Sequence, residues 1–185
     1  MSLNIQRTEI PEVLLISSEK FSDERGFFIE KYKRSDLRAL GIDLDFVQMN
    51  YSFSKRGVLR GLHFQKRPKE QDKLVTVTRG KIMDVAVDVR PNSPTYEKYV
   101  YAMLSEKNNV SIFIPKGFAH GFLALEESDV VYLTTTEYSS EHDSGIRWDD
   151  PDININWPIK NPIVSKKDRG LKYLSELIKE GVLQQ

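Results

Sequence analysis

One segment, Lys81–Val89, constrains the fold of this chain more than any other. There Val85, Val87 and Val89 alternate with Asp84, Ala86 and Asp88. Successive side chains of a strand point to opposite faces, so the alternation predicts a strand whose two faces differ in chemistry. Lys73–Thr78 precedes it, and the Arg79-Gly80 turn between them predicts a hairpin. Val13–Ile16 and Phe27–Tyr32 are further β-branched or aromatic runs, separated by a turn at Ser22-Asp23-Glu24-Arg25-Gly26. Val110–Ile114 and Val130–Tyr138 continue the pattern, with Pro115 and Gly117 marking the break between them. Helical segments are few. Ser35–Leu40 reads as a short helix with Ser35 as N-cap and Gly41 as its terminator. Leu171–Leu183 reads as a C-terminal helix packed through Leu174, Leu177 and Ile178. Many short strands with few helices point to an all-β sandwich, jelly roll or small barrel.

No repeat, low-complexity stretch or Gly/Ser linker divides the 185 residues, so one domain over 1–185 is expected. A chain of this length with 39% hydrophobic residues can bury a core without disulfides or a structural metal. Its 27 acidic and 27 basic residues cancel, which argues against nucleic-acid binding through a broad basic field but leaves room for one cationic cleft. Cysteine is absent. Disulfides, thiolate metal sites, iron–sulfur clusters and a cysteine nucleophile are thereby excluded. Met1-Ser2-Leu3-Asn4-Ile5-Gln6-Arg7 lacks a charged-then-apolar leader pattern, and no apolar run approaches the roughly 20 residues that span a bilayer. A soluble, cytoplasmic protein without membrane partners is expected.

Two of the three histidines sit beside glycines, His63 in Gly61-Leu62-His63-Phe64-Gln65 and His120 in Gly117-Phe118-Ala119-His120-Gly121. Glycine there allows close approach of backbone or ligand, although a histidine packed in a barrel core fits the same pattern. His142, in Ser139-Ser140-Glu141-His142-Asp143, reads as a solvated loop residue. Alternation along Val130–Tyr138 places Tyr132, Thr134, Thr136 and Tyr138 on one face, polar for a core; a hydrogen-bonded aromatic pair on the sheet would explain it equally. Ser165-Lys166-Lys167-Asp168 admits a capping box. Lys73, Arg25 and Arg60 could each be ordinary solvated residues.

Taken in order, several blocks carry a resemblance. They are Gly57-Val58-Leu59-Arg60-Gly61-Leu62-His63, Lys73-Leu74-Val75, Asp84–Arg90, Ser93-Pro94-Thr95, Ile114–Phe122, Ile146–Pro151 and Ser165–Asp168. Together they resemble the dTDP-4-dehydrorhamnose 3,5-epimerase family over nearly the whole chain, from about Asp23 to Asp168. The resemblance implies a cupin jelly roll with a few short peripheral helices, a homodimer, and a reaction without metal or cofactor on a dTDP-linked 4-keto-6-deoxy sugar. His63 matches the family's proton acceptor, Asp168 its paired carboxylate, Tyr132 the proton donor on the opposite sugar face, and Lys73 the cation near the C4 oxygen. Arg25, Glu30, Gln48, Asn50, Arg60, His120 and Lys167 match substrate contacts, and Tyr138 matches the aromatic stacked on thymine. Asp143 is also a substrate contact, standing where the family often has Glu. Leu133 follows Tyr132 where Lys is common.

The chemistry asks for the same kit. Protons at C3 and C5 flank a ketone, so removing either gives an enolate. Histidine is the side chain whose ordinary pKa suits a base at neutral pH. A buried carboxylate stabilises the imidazolium, a cation stabilises the enolate, and inversion requires a second acid on the other face. Guanidinium groups suit the diphosphate. Two rival readings are weighed against this one. In a metal-dependent cupin, Pro115-x-Gly117-x-x-His120 would be the second metal motif, but the paired His-x-His of the first is missing, with Phe64-Gln65 after His63. A non-catalytic sugar-nucleotide module would need neither base nor acid. Epimerisation at one carbon or at both is left open.

Overall fold

The computed structural model describes residues 3–183. Met1 and Ser2, where the leader reading begins, lie outside the described residues, as do Gln184 and Gln185. Fourteen strands and three short helices are formed among those described. The strands are β1 (Leu3–Arg7), β2 (Leu14–Ser18), β3 (Lys20–Asp23), β4 (Gly26–Ile29), β5 (Gln48–Ser54), β6 (Val58–Gln65), β7 (Lys73–Arg79), β8 (Lys81–Asp88), β9 (Tyr99–Ser105), β10 (Val110–Ile114), β11 (Phe118–Ala124), β12 (Ser128–Thr134), β13 (Asp143–Gly145) and β14 (Ile163–Val164). The helices are α1 (Arg34–Ala39), α2 (Lys166–Arg169) and α3 (Leu174–Lys179).

One sheet runs β1-β2-β10-β7-β12-β5, the other β13-β6-β11-β8-β9, and β14 adds in parallel to β6. From β5 onward the chain passes back and forth between the two sheets, the winding of a jelly roll. Inward residues of both sheets pack together: Val75, Val77 and Val130 from the first, Ile82, Ala86, Phe118 and Phe122 from the second. The outer face of the second sheet is covered by Trp157, Leu174 and Leu177. Leu37 of α1 and the following loop, with Ile42, cover part of the first, over Ile16, Leu74 and Phe113.

The Arg79-Gly80 turn does not make a hairpin. β7 pairs with β10 and β12, whereas β8 pairs with β9 and β11, so the turn carries the chain from one sheet to the other. Each of these two strands has its ladder filled on both sides by other strands. The two faces of β8 do differ, but both are buried. Val85 and Val87 pack toward the C-terminal segments, while Asp84 and Ala86 lie on the alternate, inward face. A buried carboxylate needs a partner, and its partner is part of the site below.

Both helix expectations need correction. The N-cap of α1 is Lys33, not Ser35, which lies inside the first turn and donates to Asp36 Oδ1 at 3.3 Å. The helix ends at Ala39, with Leu40 as its C-cap just before Gly41. The C-terminal helix is six residues, not thirteen. Its start is pinned because Leu174 N donates to Asp150 Oδ2 at 2.7 Å, and Lys172 is held by a bridge to Ile146. Leu174 and Leu177 are buried as expected, but Ile178 is 44% exposed. β12 also stops at Thr134, so Thr136 and Tyr138 belong to the loop beyond it.

Candidate active site

A cleft of about 630 Å³ opens between the two sheets. The first sheet contributes Gln48 and Asn50 from β5, Lys73 from β7 and Tyr132 from β12; the second contributes Arg60 and His63 from β6 and His120 from β11. Strand register aligns the first wall. Lys73, Thr134 and Gln48 share one row, and Val75, Tyr132 and Asn50 the next row on the same face. Outward residues alternate with these, so Leu133 packs on the outer cluster away from the cleft. Its departure from the family pattern leaves the cleft wall unaltered.

His63 and His120 are direct cross-strand neighbours on the second wall. The glycines beside them serve backbone approach. A Cβ on Gly61 would fall 2.6 Å from Gly121 Cα and 2.7 Å from the His120 carbonyl oxygen. The register of β6 on β11 shifts at this place, which no bulkier residue would permit.

Each histidine is held by a carboxylate. His63 Nε2 lies 2.7 Å from Asp168 Oδ1, while Gly61 N donates to Asp168 Oδ2 at 3.2 Å. Burial works to raise the Asp168 pKa; the hydrogen bond and charge of His63, the Gly61 N–H and Lys167 outweigh it and hold the carboxyl below its ordinary value. The capping-box question is resolved by the same contacts. Ser165 caps α2 by accepting from Asp168 N at 3.0 Å, but the Asp168 side chain turns to His63 instead of back to the cap. His120 Nε2 lies 2.9 Å from Asp84 Oδ2, and Asp84 is fully buried with no hydrogen bond to Oδ1. Asp84 is absent from the sequence-based site, although an acid flanked by apolar residues inside a strand is the available signal. Among the described residues no three of His, Cys, Asp and Glu are grouped to hold a metal ion.

Lys73 is buried, and its Nζ donates to the His63 carbonyl oxygen at 3.3 Å. Burial pushes its ammonium down to about 8, against the charges of Asp84 and Asp143, which pull it up. Burial likewise raises the Tyr132 phenol; Arg60 opposes this and Asp143 adds to it. At the outer end Tyr138 is 55% exposed and donates to Asp143 Oδ2 at 3.2 Å, and Lys167 pairs with the same carboxylate. Arg60 donates to Ser54 Oγ and to the Phe53 carbonyl, each at 2.9 Å. His142 is half-buried, with Nδ1 2.8 Å from Ser139 Oγ, and is not a cleft residue. Arg25 and Glu30 do not line this cleft. Arg25 is paired with Asp23 in the turn of the β3–β4 hairpin, and Glu30 follows that hairpin.

A base backed by a carboxylate on one wall and a phenol on the other can remove a proton from one side of a carbon and return it from the opposite side. That opposition defines an isomerase of the epimerising kind, on a cupin-like jelly roll. The chain belongs to the dTDP-4-dehydrorhamnose 3,5-epimerase family, whose family model matches residues 7–176. It is 50% identical over 174 residues to the dTDP-4-dehydrorhamnose 3,5-epimerase of Methanothermobacter thermautotrophicus, covering 92% of this chain and 94% of that protein. Among solved structures it is similar to the dTDP-6-deoxy-D-glucose-3,5-epimerase of Legionella pneumophila in complex with dTDP-4-keto-L-rhamnose. That likeness has a TM-score of 0.94 and 41% identity, over 100% of this chain and 99% of the other. A 3′-monoepimerase from Streptomyces bikiniensis in complex with dTDP-quinovose is also similar, with a TM-score of 0.90 and 30% identity over 96% of this chain and 91% of that one. No helix among the described residues is long and apolar enough to cross a membrane.

Proposed function

We propose that this chain is a dTDP-4-dehydrorhamnose 3,5-epimerase, converting dTDP-4-dehydro-6-deoxy-D-glucose to dTDP-4-dehydro-L-rhamnose through enolate intermediates. The observation that carries the reading is the His63–Asp168 pair on one wall of the cleft with Tyr132 on the other. His63 removes the proton at C3 or C5, and Asp168 stabilises the imidazolium that results. The electron pair passes to the C4 oxygen, where the Lys73 ammonium offsets the developing charge. Tyr132 delivers a proton to the opposite face; before the next abstraction the imidazolium gives its proton to solvent and the phenolate takes one back. Gln48, Asn50, Arg60, His120 and Lys167 hold the sugar and diphosphate. Tyr138, beside Asp143, stacks on the thymine. A single-position epimerase is the second reading, favoured by the likeness to the 3′-monoepimerase.

The test is NMR of dTDP-4-dehydro-6-deoxy-D-glucose with chelator-treated enzyme in deuterium oxide. Deuterium should enter C3 and C5 with inversion at both. Exchange at one carbon would establish the second reading, and activity lost to EDTA and restored by a divalent ion would overturn the metal-free mechanism. The pH dependence is expected to follow Lys73. Its cation is present below about 8 and lost above, so kcat/KM should fall as pH rises through that value. A profile that stays level there would mean the enolate does not rely on this charge.

The active unit is a homodimer. β1 pairs along its length with β2 of the same chain and forms one edge of the first sheet. The β3–β4 hairpin pairs with neither large sheet and carries exposed Phe21, Phe27 and Phe28. Met49, Tyr51 and Phe53 are exposed on the outer face of β5. A second copy laid on these apolar residues would cover them, and Arg25 and Glu30 could then serve the partner's cleft. Light scattering in dilute solution should return twice the chain mass; a monomer with full activity would exclude this arrangement.

A further inference from the structure

We infer that Gln65 is a positioning residue that locks the loop carrying Tyr138, and so sets the grip on the nucleotide base. The inference rests on the stacking role given to Tyr138 above. Tyr138 lies beyond the end of β12, where no ladder holds the backbone. Side chains hold it instead. Gln65 Oε1 accepts from Ser139 N at 2.6 Å, while its Nε2 donates to the Glu137 carbonyl at 3.4 Å and to the Lys69 carbonyl at 2.7 Å. The residues before and after Tyr138 are therefore tied to one side-chain amide.

An amide group offers one acceptor oxygen and two donor hydrogens, and this one uses all of them. Gln65 is 6% exposed, so the bonds are shielded from water. A carboxylate there would face two carbonyl oxygens, and an apolar side chain would leave Ser139 N and two carbonyls unpaired. Two other glutamines tie the same loop. Gln48 Oε1 accepts from Tyr138 N at 2.8 Å, and Gln71 Nε2 donates to the Thr136 carbonyl at 2.7 Å. All three line the cleft and Gln48 also bonds Asn50, but Gln65 alone of the three grips both sides of Tyr138. Gln65 stands two residues after His63, where a His-x-His metal pair would place its second histidine. In this chain that position anchors a loop.

The test is a double-mutant cycle on the full chain, with dTDP as the calorimetric probe and turnover measured alongside. Gln65→Met should weaken dTDP binding and raise KM about tenfold, with kcat held within about twofold. Tyr138→Ala should weaken binding similarly, and the double variant should be no weaker than Tyr138→Ala alone, because the loop then has no ring to position. Gln65→Asn, one methylene short but still an amide, should fall between wild type and Gln65→Met, and it serves as the test variant if Gln65→Met does not fold. Multiplicative losses in the double variant, or a fall in kcat matching the rise in KM, would overturn the inference and leave Gln65 a general structural residue. Unchanged dTDP affinity in the Gln65 variants, with the loss in Tyr138→Ala intact, would overturn it alone. Unchanged affinity in Tyr138→Ala would bring down the stacking reading and the inference with it.

Discussion

His63→Asn is expected to abolish deuterium incorporation at both C3 and C5 while dTDP binding is retained. The loss should reach the range of about 10²–10⁴-fold that a positioned general base contributes. Both carbons fail together because one imidazole serves them in turn. Asp168→Asn probes the same pair from the other side. It keeps a polar group near His63 Nε2 and Gly61 N but removes the negative charge that stabilises the imidazolium. Turnover should fall strongly with little change in KM. The helix cap is untouched by that substitution, since Ser165 accepts from the backbone N–H of residue 168. Ser165→Ala isolates the cap and should cost roughly 1 kcal/mol of stability. If Asp168→Asn turns over normally and only melts lower, the carboxylate is structural and His63 acts without it.

Tyr132→Phe should separate proton removal from inversion. The ring stays and the hydroxyl goes, so substrate still binds and His63 still exchanges the acidic protons with solvent. The enolate can then be reprotonated only from the His63 wall, and deuterium washes in with retained configuration. Inverted product should drop by about 10²-fold or more, the scale of losing a positioned acid. The placement of Tyr132 on the sheet opposite His63 is what makes the two readouts diverge. Normal inversion by Tyr132→Phe would assign proton delivery to water or another acid.

Much of this was legible in residue order. Period-two alternation marked β8, and glycine beside histidine marked the close crossing of β6 and β11. Alternation reports faces, however, and is silent on partners, so β7 and β8 read as a hairpin although both are interior strands of different sheets. Tyr132 and Tyr138 were read as one strand face because the pattern runs on past Thr134; the side-chain bonds of Gln48, Gln65 and Gln71 that bend the loop away come from strands and loops about 65 to 90 residues distant. Asp84 escaped because its partner is likewise remote. Ser-x-x-Asp signalled the Ser165 cap and the resemblance paired Asp168 with His63; the fold shows one residue doing both, its N–H on Ser165 and its carboxylate on His63. Arg25 and Glu30 match the family yet do not line the cleft of their own chain, because the β3–β4 hairpin that precedes Glu30 and turns at Arg25 pairs with neither large sheet, and a motif match does not report that.

The back-and-forth winding of the strands also governs when activity can arise. β12 pairs with β5, β10 with β2, and the carboxylate that supports His63 arrives 105 residues after it. Contacts so far apart in the chain must be closed at a cost in loop entropy before they stabilise anything, which places such topologies among the slower folders, on the order of milliseconds to seconds. The ladders of both sheets are built from the same long-range pairings, so β-sheet circular dichroism and proton abstraction are expected to return together on refolding, and during synthesis a nascent chain holds His63 long before it holds Tyr132 or Asp168. On the proposed mechanism, enolate is generated only where both walls are in place to return the proton.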